Sequence, residues 1–507
     1  MKPISSAIKA VVAAAVAAAA SAASACSGFY IGKGASADGR MYVGRTQDSP
    51  PWNLCFRVVK KPGGEYGPCP YIASLQPTST GRGRSINTAR NGGKDDRKYH
   101  FCAACANENG VVCAGRVSAG IMARPEVRKL EPYTPYCFGG HNFDTLVAAN
   151  CRTAREAIDV FAEAMRKHGD ISCEVFMFAD PHEAWYVEVY TAHHWAAVRM
   201  PDDCAAVFGN QYMLQDFDPA APDSRCSPGL VEFARDNGLL VPGEKAPINL
   251  LKTFSKPLVD YSNYRTWFGH HAWAPSTAGE YEVSKPMPLF FRPDRKLAAA
   301  DMFALMRSRY EGLRSPEETG DKKIRTIGTT KQATCHVLAL DERLPPLYAA
   351  TAWIALGNAE HIPFLPYSPA ATETDEAFAK DQPDPPFRYD PDMAGHAFRR
   401  LGALAELDRK WYGAGVRAFW ERREAELLDA WPKFLAEAAK SADGRRLVTE
   451  WGMREQRRAL ADARRIFDEL MWYVIANNRI EGDGSGATSE PKEPFSPTSA
   501  ARKPPRR

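Results

Sequence analysis

Beyond its first 25 residues the chain has no apolar run approaching the roughly 18 residues that a bilayer-spanning helix needs. The sequence therefore offers no second membrane-directed segment. Neither charge sign dominates: 65 Lys and Arg against 61 Asp and Glu leave a formal net charge of +4. Part of that excess lies in the last residues, and no basic stripe points to nucleic acid. No period of solenoid length recurs. A single C-x-x-C occurs, Cys102-Ala-Ala-Cys105, without a second pair or a close His pair at zinc-finger spacing, which favours a disulfide or plain burial over a metal. Removing Cys26 from the twelve cysteines leaves eleven, an odd number, so at least one stays unpaired in a monomer.

What is present is ordinary globular stock, 45% apolar and 25% charged. Its length suits one large domain or two ordinary ones. The first 25 residues combine Lys2 and Lys9, the run AVVAAAVAAAASAA and Ala23-Ser24-Ala25. That is a basic segment, an apolar segment and an A-x-A cleavage site, the pattern of a secretory signal peptide. Cleavage after Ala25 would make Cys26 the first residue of an exported chain. Its α-amine, with a reference pKa of about 7.7–8.0, would then stand beside a thiol of about 8.5. An amine that is partly unprotonated near neutral pH can take the thiol's proton and activate the nucleophile. Two other readings remain open at this point. A cysteine after a signal segment is also where a bacterial lipoprotein is acylated, although Ala23 stands where a lipobox wants a Leu-like residue. Alternatively, Cys26 is a buried or disulfide-bonded structural residue.

The following residues read as a hairpin: Phe29-Tyr30-Ile31, a turn-rich stretch from Lys33 to Gly39, then Arg40 to Arg45. Such a hairpin returns Arg45 and Asp48 to the vicinity of Cys26. A guanidinium there favours a thiolate and a carboxylate could hold the amine; the plain alternative is a surface ion pair. Residues 55–60 read as a strand and 77–98 as an exposed loop. Residues 107–121 read as a strand after a turn in which Asn107 and Glu108 serve turn chemistry. Apolar residues at helical spacing mark Asp144 to His168, with Thr153-x-x-Glu156 as a capping box and Gly169 as the stop. Four strands follow at Glu174–Ala179, Ala184–Tyr190, His194–Met200 and Cys204–Phe208. Consecutive strand residues face opposite ways, so His193 and His194 cannot both join one cluster and are read as structural. Arg265, set between aromatics in Tyr261-Ser-Asn-Tyr-Arg265-Thr-Trp267, is stacked on the surface or placed for an anion. Strands return over 324–367, where His336 reads as a packed residue. From about 371 the composition turns to Asp, Glu, Lys and Pro. Two amphipathic helices follow near 395–440 and 444–478, and then a Gly/Ser/Pro/Lys tail over 481–507.

The order Cys26, hairpin, Arg45-x-x-Asp48 resembles the dipeptidase A family of bacterial cysteine peptidases, within the N-terminal-nucleophile (Ntn) hydrolases. The block 172–217 resembles that family more closely. Its strand ending in Asp180-Pro181, its Glu-Ala-Trp-Tyr-x-Glu strand, His-His-Trp-x-Ala-x-Arg, Pro201-Asp202-Asp203 and Asn210-Gln211 follow in the family's order. The late strands, with Trp353-x-Ala-Leu-Gly, are also similar. Arg116 and Ser118, after the Asn-Glu-x-Gly-Val turn, depart from the pattern. The resemblance implies an α+β fold, a four-layer αββα Ntn-hydrolase sandwich over 26–370. A helical region over 371–480 would be added to it, after a signal peptide over 1–25. It implies catalysis by Cys26 with Arg45, Asp48 and an oxyanion-holding Asn210, and makes Arg265 a substrate-binding candidate. Dipeptides are the implied substrates, with no cofactor and no metal, and the exported protein would be periplasmic or secreted. A bile-salt or penicillin-type N-acyl amide hydrolase and a lipid-anchored envelope binding protein are the alternatives.

Overall fold

The computed structural model describes residues 26–48, 56–64, 67–75, 102–131, 143–170, 173–241, 243, 245–314, 320, 323–381, 388–477 and 493–498. The expected signal segment 1–25, the loop 77–98 and most of the expected tail 481–507 lie outside the described residues.

The fold is α+β, built on two antiparallel sheets. The first contains β1 (Ser27–Ile31), β2 (Met41–Asp48), β10 (Ala205–Phe208), β12 (Gln332–Leu340), β13 (Ala350–Ala355) and β14 (Leu365–Tyr367), in the order β10-β1-β2-β12-β13-β14. The second contains β3 (Arg57–Lys61), β4 (Tyr71–Leu75), β5 (Cys102–Asn107), β6 (Val112–Val117), β7 (Val175–Ala179), β8 (Ala184–Val189), β9 (Trp195–Arg199) and β11 (Ser224–Cys226), in the order β11-β9-β8-β7-β6-β5-β4-β3. Residues on both faces of the central strands are buried, as in Met41–Asp48 and Gln332–Leu340, where every position is covered, whereas the outer strands β3 and β11 keep exposed or half-buried positions. Strands such as Val175–Ala179 therefore read as continuous apolar runs, while the second half of Met41–Asp48 buries polar side chains instead. The sheets touch through β2, β12 and β13 of one and β5 and β6 of the other.

Helix α1 (Phe143–Asn150) packs on β5 and β6, and α2 (Ala154–His168) packs on β7 and β8. The periodic stretch 144–168 is thus two helices, parted at Cys151–Thr153. There the Thr153 side chain accepts a hydrogen bond from Glu156 N, and Gly169, with φ of 68°, ends the second helix. Phe143, Phe161, Phe176 and Phe178 fill the seam between these helices and the sheet, with ring centroids 4.8–5.9 Å apart. On the other sheet, α3 (Asp260–Trp273) packs on β10, and α4 (Ala299–Arg307) packs on β2 and β12.

The C-terminal helices are α5 (Ala394–Glu406), α6 (Ala414–Ala438) and α7 (Gly444–Ala476). The first long helix expected there is interrupted because the Asp408 side chain accepts from Lys410 N and Trp411 N. A π-helical turn, Arg409–Gly413, forms beside it. Helices α6 and α7 both touch β14, and the Trp431 indole N–H donates to Thr351 Oγ1 of β13 at 2.9 Å. Arg307 of α4 and Glu424 of α6 meet at 2.5 Å with side chains only 2% and 3% exposed. Within the stretch expected as a tail, Phe495 is buried, and its N–H donates to Trp411 O at 2.8 Å.

Candidate active site

Strand register places Cys26. β1 pairs with β2 through Ser27↔Thr46 and with β10 through Gly28↔Phe208. One and two steps back along β1, Cys26 falls between Gln47 on one side and Asn210 on the other. Cys26 is 1% exposed, and its Sγ lies 3.9 Å from Gln47 Oε1. Its N–H donates to Asn210 Oδ1 at 3.2 Å.

The orientation of Asn210 follows from its neighbours. Arg265 has only donors, and its Nη2 meets Oδ1 at 2.8 Å, whereas Nδ2 donates to the carbonyl of Ser118 at 3.1 Å. The amide therefore presents oxygen, not nitrogen, to Cys26 N. The segment carrying it is anchored by Glu188 of β8, a fully buried carboxylate. Glu188 accepts from the Tyr186 and Tyr190 hydroxyls at 2.7 Å each and from the N–H groups of Met213 and Leu214.

Arg265 is fully buried on α3, not stacked on the surface. Its Nη1 donates to Cys26 O at 2.5 Å and to Ser27 Oγ at 3.2 Å, and its Nε donates to Tyr261 O at 3.0 Å. Every nitrogen of this guanidinium is thus committed to framing Cys26 and Asn210. Burial, and then the Arg325 charge facing it, push its pKa down to about 10.

Asp48 and Arg45 are both buried and do not pair with each other. Asp48 meets Arg325 Nη2 at 2.5 Å. Burial pushes the Asp48 carboxyl up, while Arg325, Arg265 and Arg45 pull against that rise. Arg45 runs between the sheets, where its Nη1 donates to Ala103 O of β5 at 3.3 Å beside Gly115. The structure thus brings Cys26, Asn210 and Arg265 into direct contact, links Asp48 to Arg325, and directs Arg45 toward the facing sheet.

Neither Arg325 nor Gln47 stands out in the sequence, and Ser118 does so only as a departure from the family pattern. Register alone points to Gln47. Ser118 contributes only a backbone carbonyl, and Arg325 lies at the start of the stretch 324–367 expected as strands, ahead of where β12 begins at Gln332.

The remaining candidates lie elsewhere. His336 is fully buried on β12 with Nε2 2.7 Å from Ala114 O, and burial together with Arg45 lowers its pKa to about 3. His193 pairs with Glu131 at 2.9 Å, and His194 Nδ1 lies 3.1 Å from Ser227 Oγ. Asn107 Oδ1 accepts from the N–H groups of Asn109 and Val111, the turn chemistry expected of it. Cys102 and Cys105 are buried free thiols on β5. Among the described residues one triplet, Glu360, His361 and Glu406, gathers ligand-type atoms within 4.8 Å of one another. Arg309 and Arg409 already pair with those carboxylates at 2.7–3.1 Å, so the triplet is built as an ion-pair network.

The model of peptidase family C69 matches residues 25–412. Three curated relatives are similar to the chain. A probable dipeptidase B of Lactococcus lactis is 28% identical over 284 residues, 53% of this chain and 59% of that protein; the match thus spans less than two thirds of that relative's length. A probable dipeptidase of Latilactobacillus sakei is 25% identical over 421 residues, 81% of this chain and 86% of its own. A dipeptidase of Bifidobacterium longum is 26% identical over 394 residues, 70% and 73% of the two chains. With more than three quarters of its length inside that one model, from the residue before Cys26 to the turn after α5, the chain belongs to peptidase family C69.

Proposed function

We propose that the protein is a cysteine-type dipeptidase whose nucleophile is Cys26 at the N-terminus of an exported, signal-cleaved chain, carried on a four-layer αββα Ntn-hydrolase sandwich. Membership of the peptidase family and the dipeptidase names of its relatives support the substrate class. The layering supports the architecture, with α1 and α2 on one sheet, α3 and α4 on the other, and the two sheets in contact. The observation that carries the mechanism is the placement of Cys26 at the start of β1. Its nitrogen is held by Asn210 and its carbonyl by Arg265, so the backbone around the sulfur is fixed from both sides.

In this reading the freed α-amine takes the Cys26 thiol proton, directly or through one water, and the sulfur attacks the scissile carbonyl. Asn210 Oδ1 holds the nitrogen in place, Asp48 supplies countercharge once that nitrogen is an ammonium, and Arg45 and Arg265 favour the thiolate. The second Nδ2 hydrogen of Asn210, with backbone N–H groups, faces the oxyanion; one such donor contributes about 10²–10³ in rate. The ammonium then protonates the leaving amine, the C–N bond breaks, and water hydrolyses the thioester. The chain cut to begin at Cys26 should hydrolyse dipeptides. Cys26→Ala in the same chain should lose that activity with an unchanged circular-dichroism spectrum. Retained hydrolysis in the Ala variant would overturn the assignment.

A further inference from the structure

Three guanidiniums, those of Arg45, Arg265 and Arg325, act on the buried Asp48 carboxylate beside Cys26. With the buried Asp144, which also faces the Arg45 charge, the balance is one positive charge in excess. Burying unpaired charge is costly, so a surplus of this kind calls for an anion. The hydrogen-bond inventory says where it would bind. Arg265 has all three nitrogens engaged with Cys26, Ser27, Asn210 and Tyr261. Arg45 is turned between the sheets onto Ala103 O. Arg45 also has two buried nitrogens, Nε and Nη2, without a hydrogen-bond partner among the described residues, but it is wholly buried, whereas Arg325 combines a spare nitrogen with a partly exposed side chain. Arg325 Nη2 holds Asp48 at 2.5 Å, while its Nη1 is buried and has no hydrogen-bond partner among the described residues. Its side chain as a whole keeps 11% of its surface exposed. Arg325 and Arg265 flank the same Tyr261 ring at 5.7 and 5.2 Å, which keeps both planes fixed beside Cys26. Burial works against the Arg325 charge, and Asp48 more than offsets it, so the group stays cationic.

We propose that Arg325 binds the free C-terminal carboxylate of the substrate through its unpaired Nη1 edge and so limits cleavage to dipeptides. This inference rests on the dipeptidase reading. In a dipeptide the α-carboxylate is separated from the scissile nitrogen by one carbon, so the cation that recognises it must stand beside the nucleophile. Arg325 does so. In a longer peptide the same position holds a neutral amide carbonyl followed by more chain. That group cannot answer the charge, and Arg325 is left partly unpaired.

The test compares alanyl-phenylalanine with alanyl-phenylalanine amide, using the chain that begins at Cys26. The wild type should favour the free acid in kcat/KM by about 10- to 100-fold, the range of one charge-assisted hydrogen bond. In Arg325→Gln that acid-to-amide ratio should collapse toward one, chiefly through KM for the acid. Arg325→Lys, which keeps the charge on Asp48 but lacks the second arm, should also lose most of the preference and guards against misfolding of the Gln variant. If either variant lowers acid and amide by equal factors, Arg325 acts only through Asp48 and the inference fails. If the wild type cleaves both equally, the dipeptidase reading stands and the Arg325 assignment falls; if it cleaves neither, the dipeptidase reading itself falls. A dipeptide amide ending in glutamate that recovers the full rate would move recognition to a side-chain carboxylate and overturn the α-carboxylate assignment.

Discussion

Glu188→Gln gives a direct measure of how the Asn210 segment is held. The Glu188 carboxylate is fully buried, and burial pushes its pKa up to about 7 from an ordinary 4.5, against four hydrogen bonds from Tyr190, Met213, Tyr186 and Leu214. Between those two values the folded chain holds a proton that the unfolded chain has released. Stability from this group is therefore complete below about pH 4.5 and is lost as pH rises through about 7. A span of about 2.5 units corresponds to about 3 kcal/mol, of which about 2 kcal/mol falls between pH 5 and pH 7. Gln cannot titrate, yet its carbonyl can still accept from Met213 N and Leu214 N, and the Tyr190 hydroxyl can rotate to accept from the amide. Urea unfolding of both proteins at pH 5, 6 and 7 isolates the group, because all other titrations are common to the pair. The wild type should lose about 2 kcal/mol more than the variant across that range. Equal slopes in the two proteins would show that Glu188 titrates normally and that burial is not what governs it.

Two further outcomes follow from the packing between layers. Gly115 has a φ of 74°, and a Cβ built there would lie 1.9 Å from Arg45 Nη1 and 2.4 Å from Ala103 O. Gly115→Ala should lower stability by about 2–4 kcal/mol, the sum of a left-handed backbone cost and overpacking, measured as a shifted denaturant midpoint; a shift below about 1 kcal/mol would mean that Arg45 relocates freely. Arg307→Met strands the Glu424 carboxylate, which otherwise accepts from Arg307 and from Phe364 N. That single change should cost about 3–5 kcal/mol, and adding Glu424→Leu should restore most of it. Thermal melts of the single and double variants check both halves.

Much of the architecture was legible wherever a local rule decided it. The strands of 172–208 announced themselves by short apolar runs between Asp-Pro and Pro-Asp-Asp turns, and they stand within a residue or so of the expected bounds. The helix pair over 143–168 carried its own cap in Thr153 and its own stop in Gly169. Boundaries were less legible where side chains compete with the backbone. Periodicity alone made 395–440 one helix, but Asp408 captures two N–H groups and breaks the ladder. The pairing of β2 with β12, almost 300 residues away, carries no local signal at all.

The same division explains the site. Cys26, Arg45 and Asp48 lie on one hairpin, so spacing could place them together, and the family pattern added Asn210. What spacing could not give is the use each group makes of its hydrogen bonds. Asp48 and Arg45 have opposite charges and stand three residues apart, yet adjacent odd and even positions on a strand face opposite ways. One side chain therefore enters the intersheet layer while the other meets Arg325. That partner lies 277 residues along the chain, ahead of β12 and with no local pattern linking it to the hairpin, so only the assembled fold brings it in. A charge supplied from so far away is worth its desolvation only if something answers it. Asp48 answers half of the guanidinium, and the half left over is what ties the carboxylate of a short substrate to the position of Cys26.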